Sequence, residues 1–236
     1  MLSFFCLYPF FCLCIVAPPF QQAMPFLNQI WCRVFFPLSF LRVVTKGREH
    51  LRHPGPVVFV ANHGSFLDIA HLTYILPGFP AFLGKASLGR VPVFGYFFRN
   101  LHVVVERGSQ QGRVKALNAS RRLLEKGRSL VVFPEGSINS GIQPGLAPFK
   151  DGAFRLAVES GVPVVPVTLC FNWFVLPDDG RWLPNFYFCK AVIHAPVNPA
   201  GFTKETPESL RDKVWEQISR TLLEENQGLV ARTETE

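Results

Sequence analysis

His63 and Asp68 stand five residues apart in Asn62-His63-Gly64-Ser65-Phe66-Leu67-Asp68, and the two side chains are enough to begin a proton-transfer site. An imidazole takes up a proton near neutral pH, and a carboxylate on its other ring nitrogen holds the tautomer and stabilises the imidazolium. That is half of an acyl-transfer centre. A His and an Asp at this spacing also recur by chance, so the meaning of the pair depends on what else reaches it.

The elements around the pair suggest what that is. Val57-Val58-Phe59-Val60, behind the turn signal Pro54-Gly55-Pro56, reads as a buried strand that delivers His63 at its end. A helix starting at once would carry Asp68 about one and a half turns further. From residue 55 the chain alternates strand-like and helix-like stretches, with strands expected at 57–61, 80–83, 102–106, 129–133, 163–169 and 187–194. Helices are expected from a Ser109 cap to Gly127, from Gly152 to Ser160, and from Thr206-Pro207 onward, with a frayed polar end from Glu224 to Glu236. This alternation predicts an α/β fold with a largely parallel central sheet flanked by helices.

His63, Arg107 and Glu135 each follow a predicted strand, and open parallel sheets bind ligands beyond the carboxyl ends of their strands. In Phe133-Pro134-Glu135-Gly136, proline ends the strand and Gly136 allows a left-handed turn that bares backbone amides; a common turn with a solvated acid reads the same way. Arg107 is either a solvated cation or the anchor for an anionic, phosphate-bearing acceptor. Lys150, after the Gly- and Pro-rich loop 136–148, could face a phosphate or pantetheine group, or simply solvent.

Aromatic residues make up 14% of the 236 residues and charged ones only 17%, below the roughly 25% of an ordinary domain. No charge precedes Arg33; residues 2–20 and 26–41 are apolar segments interrupted by prolines. Each is shorter than the roughly 20 apolar residues of a membrane span, which favours a membrane-embedded helical hairpin over two spans, with a single span left open. A signal peptide is disfavoured by the missing basic n-region and by the second apolar segment. Arg42, Lys46, Arg48, Arg52 and the net charge of +7 point to an anionic membrane surface, on the cytoplasmic side. No basic helix or recognition motif supports nucleic acid as partner. The six cysteines and the His50–His53 pair lack zinc-site spacing, and neither a metal nor a disulfide is expected. The expected division is an anchor at 1–48, an α/β domain at 49–227 and a polar tail at 228–236.

Taken together, the motifs resemble the lysophospholipid acyltransferase family, in particular the bacterial 1-acyl-sn-glycerol-3-phosphate acyltransferases. Asn62, His63, Ser65 and Asp68 match its first motif; Lys85, Pro92, Gly95 and Arg107 its second; Phe133, Pro134, Glu135 and Gly136 its third; Val162 to Val167 its fourth. The resemblance spans about residues 50 to 170. It implies that His63 is the general base and Asp68 orients it, that Arg107 holds the acceptor phosphate, and that Glu135 and Gly136 shape the acceptor site. Asn62, Ser65, Lys85, Phe133, Pro134, Ser137 and Lys150 join the implied substrate-binding set. The implied donor is acyl-ACP or acyl-CoA with no bound cofactor, the implied acceptor a lysophospholipid, and the implied location the cytoplasmic face of a bacterial inner membrane. Many members continue the third motif with Thr-Arg, whereas this chain has Ser137-Ile138, which keeps other lyso-lipid headgroups, including a lyso-aminolipid, as alternatives. The rival outside this class is a non-catalytic membrane lipid-binding protein. A hydrolase nucleophile elbow and nucleotide-binding glycine loops are missing from the sequence.

Overall fold

Short apolar runs, most of them rich in valine and bounded by Gly, Pro and polar residues, become the strands β1 (Val43–Lys46), β2 (Val58–Ala61), β3 (Ala81–Lys85), β4 (Val103–Val105), β5 (Leu130–Val132), β6 (Val164–Leu169) and β7 (Cys189–Ile193). The structure is a computed structural model, and it describes residues 2–92, 94–106, 108–181, 183–203 and 206–233. The strands form a single sheet in the order β1-β7-β6-β2-β5-β3-β4. The stretch from β6 to β4 is parallel throughout. β7 runs antiparallel to β6, and β1 is parallel to β7, so the sheet is mixed at that edge. β1 is an addition to the expected strands; it lies within residues 1–48, the segment assigned to the anchor, and pairs with β7.

The helices are α1 (Leu2–Val16), α2 (Met24–Leu38), α3 (Leu67–Ile75), α4 (Phe94–Leu101), α5 (Gln110–Glu125), α6 (Gly152–Ser160), α7 (Asn172–Val175) and α8 (Glu208–Thr233). Ser109 caps α5 by accepting from the Gly112 amide at 2.9 Å, as its residue type suggests. Gly161 ends α6 in the left-handed region at φ 65°.

Strand alternation divides the core between the two sheet faces. Val58, Val60, Leu130, Val132 and Val164 pack with Phe154 and Leu156 of α6 and with Leu210, Val214 and Ile218 of α8. Phe59, Ala61, Val131, Val165 and Val167 pack with Leu72 and Ile75 of α3. Each fully buried aliphatic side chain contributes about 1.5–3 kcal/mol by leaving water, so coverage of both faces fixes the strand register.

α8 continues to Thr233, through most of the stretch expected to be frayed or tail. Asn226, fully buried, explains part of this: its Nδ2 donates to the Cys170 carbonyl at 3.0 Å, and its Oδ1 accepts from Trp173 Nε1 at 3.2 Å. A polar-looking helix end is thereby tied to the loop after β6.

The two apolar N-terminal segments form α1 and α2, joined by a 3₁₀ turn at Pro18–Ala23. Fifteen residues each correspond to about 22 Å, short of the roughly 30 Å hydrocarbon core. Among the described residues no helix is long and apolar enough to cross a membrane. The inner side packs on the domain: Phe11 meets Phe97 of α4 edge-on at 5.2 Å, and Phe36 packs with Leu67 and Ala70 of α3.

Candidate active site

Because β2, β3, β4, β5 and β6 are parallel, their carboxyl ends share one edge of the sheet. His63 follows β2, Lys85 ends β3, Glu135 follows β5 and Asn172 follows β6. The β2–β5 register pairs Val60 with Val132, and extending it by three residues brings position 63 opposite position 135. The contact is there: the His63 amide donates to Glu135 Oε1 at 2.7 Å.

His63 Nδ1 lies 2.9 Å from Asp68 Oδ2. The helix expected to start at once does not; α3 begins only at Leu67. Residues 64–66 turn back instead, so that the Gly64 and Ser65 amides both donate to Asp68 Oδ2 at 2.9 Å. A side chain at Gly64 would be crowded, since a Cβ would lie 3.0 Å from both Gln143 and Trp173. Asp68 is fully buried, and Asn172 Nδ2 donates to its other oxygen at 2.9 Å. Every one of these contacts needs Asp68 as an acceptor, which puts a hydrogen on His63 Nδ1 and the lone pair on Nε2. Among the described residues that Nε2 has no hydrogen-bond partner, and the side chain is 13% exposed. The ring stacks on Phe133 with centroids 4.0 Å apart and planes 15° from parallel. An oriented, reachable imidazole with its basic nitrogen open is the arrangement of a general base.

Glu135 is buried, and both its oxygens are taken: Oε1 by the His63 amide, Oε2 by Asn139 Nδ2 at 2.9 Å and by the Ala147 amide at 3.2 Å. Burial pushes its carboxyl above the usual range, opposed by the His63, Ala147 and Asn139 donors. It therefore staples the 134–147 loop to the end of β2 beside the imidazole. Pro134 accepts from the Lys150 amide at 3.0 Å, and Gly136 adopts φ 84°, where a Cβ would lie 2.5 Å from Lys150 Nζ. Lys150 thus lies against the third motif from the far end of the loop.

Asn62 and Ser65 act inward. Asn62 spans to β6, with Nδ2 donating to the Leu169 carbonyl at 3.0 Å and Oδ1 accepting from the Leu169 amide at 2.7 Å. Ser65 donates to the Leu176 carbonyl at 2.7 Å and accepts from the Leu67 amide at 3.1 Å. Both side chains are buried, so they contribute the shape of the turn and touch substrate only through it. Lys85 and Ser137 are exposed, Lys85 on the same sheet edge and Ser137 on the loop. Arg107 lies outside the described residues. Asn172 and the fully buried His71 bonded to it at 3.1 Å had no sequence signal, because each lies in an apolar stretch and belongs to none of the motifs. A cavity of about 330 Å³ opens beside Gly64, lined by Gln143, Trp173, Phe174, Asp178 and Asp179.

Comparison with known proteins gives this geometry a family. Residues 42–170 match the family described as Acyltransferase. The chain is 38% identical over 67% of its length to a 1-acyl-sn-glycerol-3-phosphate acyltransferase of Chlamydomonas reinhardtii, covering 47% of that protein. It is 30% identical over 76% of its length to the 1-acyl-sn-glycerol-3-phosphate acyltransferase of Haemophilus influenzae, covering 74% of it. The chain spans about half the length of the algal protein and of similar plant chloroplast proteins. The crystal structure of the 1-acyl-sn-glycerophosphate (LPA) acyltransferase PlsC from Thermotoga maritima superposes with a TM-score of 0.75 at 29% identity, over 88% of this chain and 81% of that one. The matched segment begins just before β1 and ends just after β6, taking in the histidine, its aspartate and the glutamate that staples them, and by that match the chain belongs to the acyltransferase family.

Proposed function

We propose that this protein transfers a fatty acyl group from acyl-ACP or acyl-CoA to the free hydroxyl of a lysophospholipid, with 1-acyl-sn-glycerol-3-phosphate as acceptor and phosphatidic acid as product. The observation that carries the reading is the His63–Asp68 contact of 2.9 Å with Nε2 left open at the sheet edge. In the step, Nε2 takes the hydroxyl proton as the oxygen attacks the thioester carbonyl. The C–S bond then breaks and the leaving sulfur takes the proton back from the imidazolium. The acyl group is already activated, so a base worth about 10²- to 10⁴-fold and a pre-aligned hydroxyl suffice. The names of the relatives support the phosphate-bearing acceptor, as do Lys85 and Lys150 along the edge.

A second acceptor has an observation in its favour. The cavity beside Gly64 carries two carboxylates, Asp178 and Asp179, and two aromatic side chains, Trp173 and Phe174, a lining that suits an ammonium-bearing headgroup. Purified protein offered lysophosphatidic acid, lysophosphatidylethanolamine and lysophosphatidylcholine with each thioester donor decides between them. The proposal expects lysophosphatidic acid to give the highest kcat/KM; preference for an amine-bearing lipid replaces the acceptor, and no transfer to any lipid overturns the activity.

We further propose that the hairpin seats the protein on an anionic bilayer, supported by the exposed Phe10, Leu13, Phe26, Leu38 and Phe40 and by the exposed cations Arg42, Arg48 and Arg52 behind them. Deleting residues 1–41 is a poor test, because Phe11 and Phe36 are buried against the domain. Replacing Phe26, Leu38 and Phe40 by aspartate removes outward apolar surface worth about 1.5–3 kcal/mol per side chain when buried. Binding to vesicles containing anionic lipid is expected to fall at least about tenfold in flotation, with circular dichroism unchanged. Undiminished flotation would show that another surface anchors the protein.

A further inference from the structure

The hydrogen bonds around Asp68 do not stop at the dyad. Asn172, on the short α7 after β6, and His71, on α3, continue them inward through a region closed to water. From the geometry we infer that Asn172 is a positioning residue for catalysis, holding Asp68 in the rotamer that orients His63, and that His71 in turn tethers the Asn172 carbonyl oxygen so that the amide stays in reach of Asp68. This inference rests on the reading of His63 as the base.

Hydrogen-bond polarity dictates the chain's direction. Asp68 already accepts from His63, Gly64 and Ser65 on Oδ2, and its Oδ1 is 2.9 Å from Asn172 Nδ2. A carboxylate only accepts, so the amide nitrogen of Asn172 must face it, and the Asn172 carbonyl oxygen must face His71 Nδ1 at 3.1 Å. His71 Nδ1 therefore carries a hydrogen. Its Nε2 is buried with no partner among the described residues, which a lone pair tolerates far better than an N–H would. Burial also lowers the His71 imidazole to about 4, which keeps it neutral. The order of donation is His71 to Asn172 to Asp68, with His63 donating to Asp68 from the other side.

The consequence concerns rotation. Oδ2 has three donors, but all three lie on the turn bearing His63, and among the described residues only Asn172 holds Oδ1, from a different element. Without that bond the carboxylate can turn about its own axis while keeping contact with the Gly64 and Ser65 amides. The imidazole then loses its fixed tautomer. With His71 absent, Asp68 still sets which way the Asn172 amide faces, but the Asn172 carbonyl oxygen loses its donor and the side chain is held less firmly.

The test uses the full chain. Asn172→Leu keeps the volume and removes the donor; kcat is expected to drop about 10- to 100-fold, the range for groups that orient a reacting residue at one remove, with both KM values within about twofold. His71→Leu is expected to lower kcat by a smaller factor, about 3- to 10-fold, and His71→Asn, which keeps an N–H near the position of Nδ1, to recover most of it. The ¹⁵N shifts of the His63 ring give a readout independent of turnover: a single Nδ1–H tautomer in the parent and a mixture in Asn172→Leu. A parent-like kcat and tautomer in Asn172→Leu overturns the inference, as does an equal loss in the two His71 variants at matched melting temperature. If Asn172→Leu does not fold, the His71 comparison decides alone. Failure of the underlying reading shows instead as absent turnover in the parent or as turnover that survives in His63→Ala.

Discussion

Replacing His63 by alanine is expected to reduce acyl transfer by about 10²- to 10⁴-fold, to or near the background, while the protein stays folded. The two parts of this expectation have separate causes. The rate loss follows if His63 acts as the proposed base, its Nε2 open at the sheet edge and its Nδ1 committed to Asp68. The fold survives because the carboxylate left behind keeps three donors: the Gly64 and Ser65 amides and Asn172. No buried charge is stranded, so the stability cost is limited to about 2–4 kcal/mol for one lost hydrogen bond to a carboxylate and a ring stack. Initial rates with a lyso-lipid and a thioester donor, beside a thermal melt, check both. Turnover close to that of the parent would return the chain to the non-catalytic lipid-binding reading.

The second large effect is expected at Glu135. Its substitution by glutamine preserves shape but not polarity: one acceptor oxygen becomes an NH₂ group. Oε1 meets the His63 amide and Oε2 meets the Asn139 and Ala147 donors, so either amide orientation sets a donor against a donor at a buried site. An unsatisfied buried donor costs about 1–3 kcal/mol. For a chain of this size that corresponds to a melting temperature lower by about 2–12 °C. The activity loss is expected to be larger, about 10²-fold, because the displaced group is the backbone that carries the base and 1 Å errors there cost that much. A Glu135→Gln variant that melts and turns over like the parent would show that the staple is dispensable.

The two cases differ in how far the sequence could foresee them. His63 and Asp68 are neighbours in the chain, and their pairing was legible, although the assumed helix was not: the turn at 64–66 exists because Asp68 gathers three backbone and side-chain donors around one oxygen. Glu135 was legible as a strand-end residue. That its carboxylate faces His63 across 72 positions depends on β2 pairing with β5, a register that alternating apolar residues permit but do not name. β1 escaped notice because four residues beside a long apolar segment carry too little periodicity to read as a strand. The end of α8 looked frayed because its buried anchor is an asparagine, a residue type usually found on surfaces.

What the sequence determined by itself was the six strands from β2 to β7 as apolar runs, the residues that close each one, and hence which side chains share an edge once the strands that run parallel do so. The tertiary structure alone decided the partners inside that edge. Asn172 reaches Asp68 across 104 positions and His71 across 101, and which amide atom faces which is fixed by the polarity of groups that meet only after the sheet has formed. Local patterns record burial and alternation, whereas hydrogen-bond direction is a property of two atoms brought together, and no single stretch of chain contains both.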